Sequence, residues 1–306
     1  NLGISYSVND RASYYNREEY PHESVATLCG LFGKKRQWYY ANMKADVSER
    51  QRVKLLADMI GYYRLCCPRI GGFKLFHLLE KDLGHAVTLG RDSFLKVYES
   101  KGFKLNPNKR RRTTDSNHVY KRCCQVIKGK DARYSNHIWV SDITYVWILG
   151  DVLYLHLVTD AYSHAVLGWC LSDSLSASHT TEALRMAIRI AGGGNLCGTI
   201  HHSDRGSQYA SEAYVSCLME HHIRISMTEG YEPTDNAMAE RQNGIFKVEW
   251  IYEQEMYRDK EQAINEINRM IDFYNNRRPH MSIGMECPME VYKGKLPGKN
   301  LWRKRP

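Results

Sequence analysis

The chain has 306 residues, 43% of them apolar and 25% charged, with a net charge of +9. That is the composition of an ordinary globular protein long enough for two or three domains, and it holds no run near the roughly 18 consecutive apolar residues that a membrane span needs. The positive excess is local: between Lys101 and Tyr134 stand eleven Lys/Arg against only two acids, Asp115 and Asp131, so this stretch carries the whole of it.

A confined basic segment points to a polyanionic partner, because each neutralised phosphate releases counterions. The nine cysteines include the adjacent pairs Cys66-Cys67 and Cys123-Cys124 but no C-x-x-C, which argues against a zinc finger or ribbon. No basic-then-apolar leader opens the chain, so reduced thiols in a cytosol are expected. The first residue is Asn1, so a start codon is expected elsewhere, upstream or in another reading frame.

Residues 1 to 23 carry no motif. Residues 24 to 43, SVATLCGLFGKKRQWYYANM, predict an apolar helix, a break at Gly33 and a basic-aromatic helix, a helix-turn-helix shape. Residues 1–45 are therefore read as an N-terminal segment containing that hairpin. Residues 46–104 predict a helical DNA-binding domain. In it VKLLADMIGYY has a 3.6-residue apolar period, and Pro68 and Gly71-Gly72 interrupt it. FKLFHLLEKDLG ends at Gly84, and a last helix is bounded by Thr88 as cap and Gly102 as stop. Residues 105–136 are a basic linker without apolar period.

At His137 the pattern changes. HIWVSDITYVWI, VLYLHLVTDAYS and HAVLGWCLS read as three strands of an antiparallel meander. SASHTTEALRMAIRIAG is an amphipathic helix, TIHHSD a short strand, SEAYVSCLMEHH a helix, IRISMT a strand and DNAMAERQNGIFKVEWIY a helix. The order β-β-β-α-β-α-β-α is that of a ribonuclease H-like α/β core, placed at residues 137–257 and preceded by the all-helical region. Residues 258–306 supply a further amphipathic helix and a basic tail.

Three acids fall where that fold converges. Asp142 sits mid-strand among Trp139, Val140, Ile143 and Tyr145, where a carboxylate is costly to bury unless it is paired or binds metal. Asp204 ends the fourth strand in HHSDRGSQY. Glu240 follows after thirty-five intervening residues, about one turn into a helix capped by Asp235 or Asn236. At about 100° per residue, Glu240, Asn243 and Lys247 lie within roughly 60° of each other, beside an apolar stripe of Ala239, Phe246 and Trp250. That register prefers Glu240 to Glu249 or Glu253. Carboxylates without a companion cysteine cluster select Mg2+ or Mn2+, expected as two ions. Each acid taken singly also reads as an ordinary strand, turn or helix residue, and Asp160 in VTDAYS reads as a turn aspartate. His202 is expected near the site on the face of Asp204, with His201 on the other face. His221 and His222 suit a helix C-terminus and are given no function.

S-D-I-T-Y (141 to 145), H-S-D-R-G-S-Q-Y (202 to 209) and D-N-A-M-A-E-R-Q-N-G-I-F-K-V-E (235 to 249) together resemble the insertion-sequence-3 family of bacterial transposases, relatives of retroviral integrases. Y-N-N-R-R-P-H (274 to 280) with Pro288 and Tyr292 resembles that family's C-terminal motif, and PRIGGFKLFHLLEKDLG its helical region. The resemblance spans about residues 24 to 293. It departs from the family at Ile283, where leucine is usual, and at Gly71-Gly72, where an aromatic-glycine pair is commoner.

The resemblance implies a transposase that cleaves DNA at its element's ends and joins the freed 3′-hydroxyl to a new phosphodiester, by way of a circular intermediate. It implies Asp142, Asp204 and Glu240 as catalytic metal ligands and Lys247 as a DNA contact near the cleaved bond. Arg205, Gln208 and Asn243 flank the site as further contacts, and Arg110, Arg111 and Arg112 belong to the basic segment expected on DNA. The expected partners are the element's terminal repeats and target DNA, a second copy in a homodimer or larger assembly, and a subunit or fusion from an upstream frame, with no membrane. The expected location is the bacterial cytoplasm, on the nucleoid. Two rivals remain open at this point: a non-transposing nuclease of the same fold, and a domesticated DNA-binding protein without catalysis.

Overall fold

The computed structural model describes residues 22–31, 33–84, 90–105, 127, 131–228, 237–252 and 256–294. The chain divides into two compact units, Asn1–Met59 and Ile60–Pro306.

In the first unit, helix α1 (Val25–Leu31) is opened by Ser24, whose hydroxyl accepts the Thr27 N–H at 3.0 Å. It turns at Gly33, with φ of 63°, into α2 (Arg36–Cys66). Val25, Cys29 and Tyr39 form a small buried cluster with Trp38 against it, and the Lys34 ammonium lies 5.5 Å from the Trp38 ring. α2 differs from the reading above: one helix runs unbroken through the boundary expected at 45/46. ADVSERQR contains neither Pro nor Gly, so the helix continues through it instead of breaking.

In the second unit, the end of α2 meets α3 (Gly72–Leu83) and α4 (Arg91–Ser100). Their shared interior is Ile60, Tyr63, Ile70, Leu75, Leu78, Leu79 and Phe94, all fully or nearly buried. Gly84 (φ 70°) and Gly102 (φ 74°) stand just past the two helices, as expected. The residue capping α4 is Gly90, not Thr88, which lies outside the described residues.

The sheet contains β1 (Ile138–Ile148), β2 (Asp151–Asp160), β3 (Val166–Ser172), β4 (Ile200–Ser203) and β5 (Arg224–Met227), in spatial order β3-β2-β1-β4-β5. β1 to β3 form the antiparallel meander, and β4 and β5 join β1 in parallel. The crossovers are α5 (Ala177–Ile190) and α6 (Glu212–Glu220), opened by Ser176 and Ser211 with side-chain caps. This is the ribonuclease H-like order that the periodicities predicted.

α5 and α6 cover one face, with Trp139, Val158, Leu184, Tyr214 and Leu218 in its core. Gly168 makes the fit possible: a Cβ there would lie 1.9 Å from the Ala183 carbonyl oxygen. The other face takes α7 (Ala237–Phe246), a π turn (Lys247–Ile251) and α8 (Lys260–Asn276), while the short α9 (Pro288–Tyr292) lies against α8 and packs Met289 and Tyr292 on the α5–α6 core. Phe246, Trp250 and Tyr274 are buried together there. Asp160 ends β2 fully buried, accepting the Ser163 N–H and O–H and the Asn136 N–H. It is a structural turn aspartate, as read from VTDAYS.

Candidate active site

β1 is the middle strand of the sheet, and Asp142 lies halfway along it, partly buried. The parallel pairing sets Val140 opposite His202. Two residues further along each strand, the same face therefore carries Asp142 and, one residue beyond the end of β4, Asp204. Asp204 is held by its own turn: Gly206 donates its N–H to Oδ1 at 2.9 Å. The Gln208 side chain lies close over Gly206, where an added Cβ would have to push its amide aside.

Asp142 Oδ2 accepts a 2.6 Å hydrogen bond from the Asn243 amide on α7, and Oδ1 accepts the Ile143 N–H at 2.8 Å. Both donors are neutral. Burial first, and then the Asp204 charge, push the Asp142 carboxyl up from its ordinary 3.8 to about 6. The two hydrogen bonds offset part of this, and the Lys247 ammonium offsets it least. A carboxylate whose proton affinity is raised by a neighbouring carboxylate belongs to a donor set that a hard divalent cation would complete.

Glu240 enters α7 as its fourth residue, and its side chain lies outside the described residues. Asn243, expected to face DNA, is only 3% exposed and is committed to Asp142. Arg205 donates from Nε to the Thr228 carbonyl at 2.6 Å, which anchors the loop after β4 to the end of β5. Arg110, Arg111 and Arg112 lie outside the described residues. His202 is fully buried with Nδ1 3.0 Å from the Ser226 hydroxyl. His201 faces the α5–α6 side, its Nε2 2.7 Å from the Ser141 hydroxyl and 2.8 Å from the Tyr214 hydroxyl. Burial lowers its basicity to about 3, so it remains a neutral buttress behind β1.

Sequence reasoning missed a second charged centre. Beyond Phe246 the helix widens, Tyr252 donating its N–H to the Lys247 carbonyl in the i to i+5 pattern. That turn sends Glu249 inward. Its carboxylate is gripped by Arg278 through two hydrogen bonds of 2.7 and 2.6 Å and by Lys74 at 2.6 Å, with the Cys67 thiol at 3.5 Å. Burial alone would raise the Glu249 carboxyl, but Arg278 and then Lys74 overcome it and hold it at about 2. Beside it Arg69 donates its N–H to the Glu249 carbonyl, and the Trp250 indole donates to the Cys66 carbonyl. Arg277 pairs with Asp82 at 2.8 Å, and Asn275 exchanges two hydrogen bonds with the Val166 backbone. The motif YNNRRPH is thus a fastening between the helices of residues 60–84, the turn after α7 and strand β3. Its one sequence signal was two adjacent arginines followed by proline, which specifies no partner.

The integrase core domain family matches residues 132–233, and a second integrase core domain family matches residues 221–288. The putative transposase for insertion sequence element IS986/IS6110 of Mycobacterium tuberculosis is 33% identical over 187 residues, which is 60% of this chain and 67% of the relative. The chain belongs to the insertion-sequence-3 family of transposases. Transposase InsF for insertion sequence IS3A of Escherichia coli is 35% identical over 154 residues, covering 50% of this chain and 52% of its own. The magnesium complex of the HTLV-2 integrase catalytic core aligns at a TM-score of 0.40 and 21% identity over 52% of this chain and 97% of that one. Within the family core, the transposase presents Asp142 and Asp204 side by side at neighbouring strand positions, with α7 lying across β1.

Proposed function

We propose that this transposase cuts its element's ends and transfers the freed strand to target DNA, with Asp142, Asp204 and Glu240 as the ligands of two Mg2+ or Mn2+ ions. The observation that carries the reading is the convergence of Asp142 and Asp204 on adjacent parallel strands, with Asn243 reaching from α7 to hold Asp142. Glu240 precedes Asn243 by three residues on α7, a spacing at which helix residues are neighbours, and that supports it as the third ligand. When bound, the ions would lower the pKa of the attacking water or 3′-hydroxyl and neutralise charge on the leaving oxygen.

The chain's own residues set the geometry. Asn243 fixes the rotamer of Asp142, Gly206 fixes that of Asp204, and Ser141 with His201 and Tyr214 supports β1 from behind. Lys247, whose charge reaches Asp142, offers its ammonium to a phosphate of the bound strand. Arg205 and Gln208 border the same opening, and the basic segment with Arg110, Arg111 and Arg112 neutralises further phosphates. Two ends must be held together, so a homodimer or larger assembly is the working form, with terminal-repeat recognition shared with a partner from an upstream frame. No helix among the described residues is long and apolar enough to cross a membrane, and the working location is the cytoplasm, on nucleoid DNA.

The test is strand transfer on oligonucleotides carrying the inverted repeats that flank the gene, with Mg2+ or Mn2+. Wild type should yield joined products, while Asp142→Asn, Asp204→Asn and Glu240→Gln should bind DNA without cutting it. Hydrolysis without joining would return the protein to the nucleases. DNA binding with no metal-dependent chemistry in any form would remove the enzymatic reading.

A further inference from the structure

We propose that the transposase carries a second metal site, for a transition metal such as Zn2+, formed by Cys170, His179 and Glu182. Cys170 lies on β3, and His179 and Glu182 lie three residues apart on α5, so they share one face of that helix. The thiol sulfur, an imidazole nitrogen and a carboxylate oxygen all fall within 4.8 Å of one another. The sulfur and the Glu182 Oε2 are 3.4 Å apart, with the thiol donating. Bond lengths of about 2.0 to 2.3 Å in a tetrahedral zinc site separate neighbouring ligands by roughly 3.3 to 3.8 Å. The thiol–carboxylate edge already meets that separation, and the imidazole nitrogen lies within 4.8 Å of both.

The site is distinct from the acidic one. Cys170 pairs in register with His156 and, across β2, with Ile143, which points to the α5 side of the sheet. Asp142 points to the other side and lies two strands away. The donors differ as well. Sulfur with imidazole selects Zn2+ or Co2+, whereas carboxylates alone select Mg2+ or Mn2+. His156 is no ligand, since both its ring nitrogens are engaged, with the hydroxyls of Ser172 and Thr180 at 2.9 and 2.8 Å. The neighbouring ammonium of Lys260 is paired with Asp173 at 3.2 Å. Three protein ligands leave a fourth position for water. Binding replaces the thiol proton by the metal ion and releases that proton to solvent, so one sulfur–metal bond forms as one S–H bond breaks. An ion there would staple α5 to β3 at the edge of the sheet.

The test titrates the reduced full-length protein with Co2+ in excess Mg2+, which keeps the carboxylate site out of the readout. Wild type should take up one equivalent with a sulfur-to-cobalt charge-transfer band, displaced by Zn2+. Cys170→Ser and His179→Ala should lose the band, and Glu182→Gln should weaken cobalt by on the order of tenfold, the loss that removing even an outer-shell partner produces. Circular dichroism checks each fold. Should Cys170→Ser fail to fold, the two helix variants decide. No thiolate band in wild type, or an undiminished band in His179→Ala and Glu182→Gln, overturns the proposal. None of these readouts depends on DNA cleavage.

Discussion

Asp142 and Glu249 are two carboxylates withdrawn from water in one unit of one protein, and they are treated oppositely. Glu249 meets an arginine fork and a lysine, and its carboxyl is held at about 2. Asp142 meets a second acid, two neutral donors and only a weak influence of the Lys247 ammonium, and its carboxyl is pushed up to about 6. The first is a closed electrostatic account, with charge neutralised by partners in the chain. The second is left open, and a group in that condition is poised for a cation from outside. The contrast separates an acid that holds the fold from one proposed for chemistry, although both lie within apolar sequence.

The largest expected effect breaks the comparison on the Asp142 side. Asp142→Asn should lower strand transfer by about a thousandfold or more, equivalent to roughly 4 kcal/mol of transition-state stabilisation. In metal-free buffer it should melt at or above the wild-type temperature, because an unfavourable charge has been removed. A large drop in melting temperature would place Asp142 among the structural acids.

Glu249→Gln should do the reverse. It strands Arg278, which is 1% exposed, together with Lys74, and should cost about 3–5 kcal/mol by denaturant unfolding. Replacing Glu249, Arg278 and Lys74 together by apolar residues of similar size should cost less than the single change. If the triple variant is the less stable one, the cluster is a net source of stability and not merely a satisfied one.

Metal and pH sharpen the comparison. Saturating Mn2+ at a hundred times its dissociation constant should stabilise wild type by about 2.7 kcal/mol, and Asp142→Asn should lose most of that gain. For Asp142 the folded value lies above the unfolded one, so the metal-free protein is more stable when this group is protonated. Stability should fall by at most about 3 kcal/mol as pH rises from 3.8 through about 6, and metal affinity should rise over the same interval. Glu249 has the opposite sign. Its contribution is present above 4.5 and lost as pH falls toward about 2. Melting temperature against pH for wild type and both variants separates the two slopes.

The smallest effect is that of Asn243→Ala. Loss of the 2.6 Å hydrogen bond to Asp142 should cost about 1–2 kcal/mol. It should also move the acidic limb of the pH–activity profile upward, since the Asp142 carboxylate loses a donor. An unchanged profile with reduced stability would make Asn243 a packing residue only.

Much of this protein was legible along the chain, because strands and helices write their periods locally. Three alternating runs and two Ser-capped helices give the meander, the crossovers and hence the strands that carry Asp142 and Asp204. The parallel register that sets the two acids abreast follows from that order. The π turn did not show, since a constant 100° step cannot anticipate one extra residue in a turn, and with it the inward aim of Glu249 was lost. Nor did its partners: Lys74 is 175 residues from Glu249 and Arg278 is 29 away, and charges carry no period. The same holds for Cys170, His179 and Glu182, which meet across β3 and α5 without any metal-ligand spacing. Local geometry is encoded by neighbours in the chain and could be read there. The pairing of a buried charge is decided by whatever folding carries to within a few ångströms, and that was settled only in three dimensions.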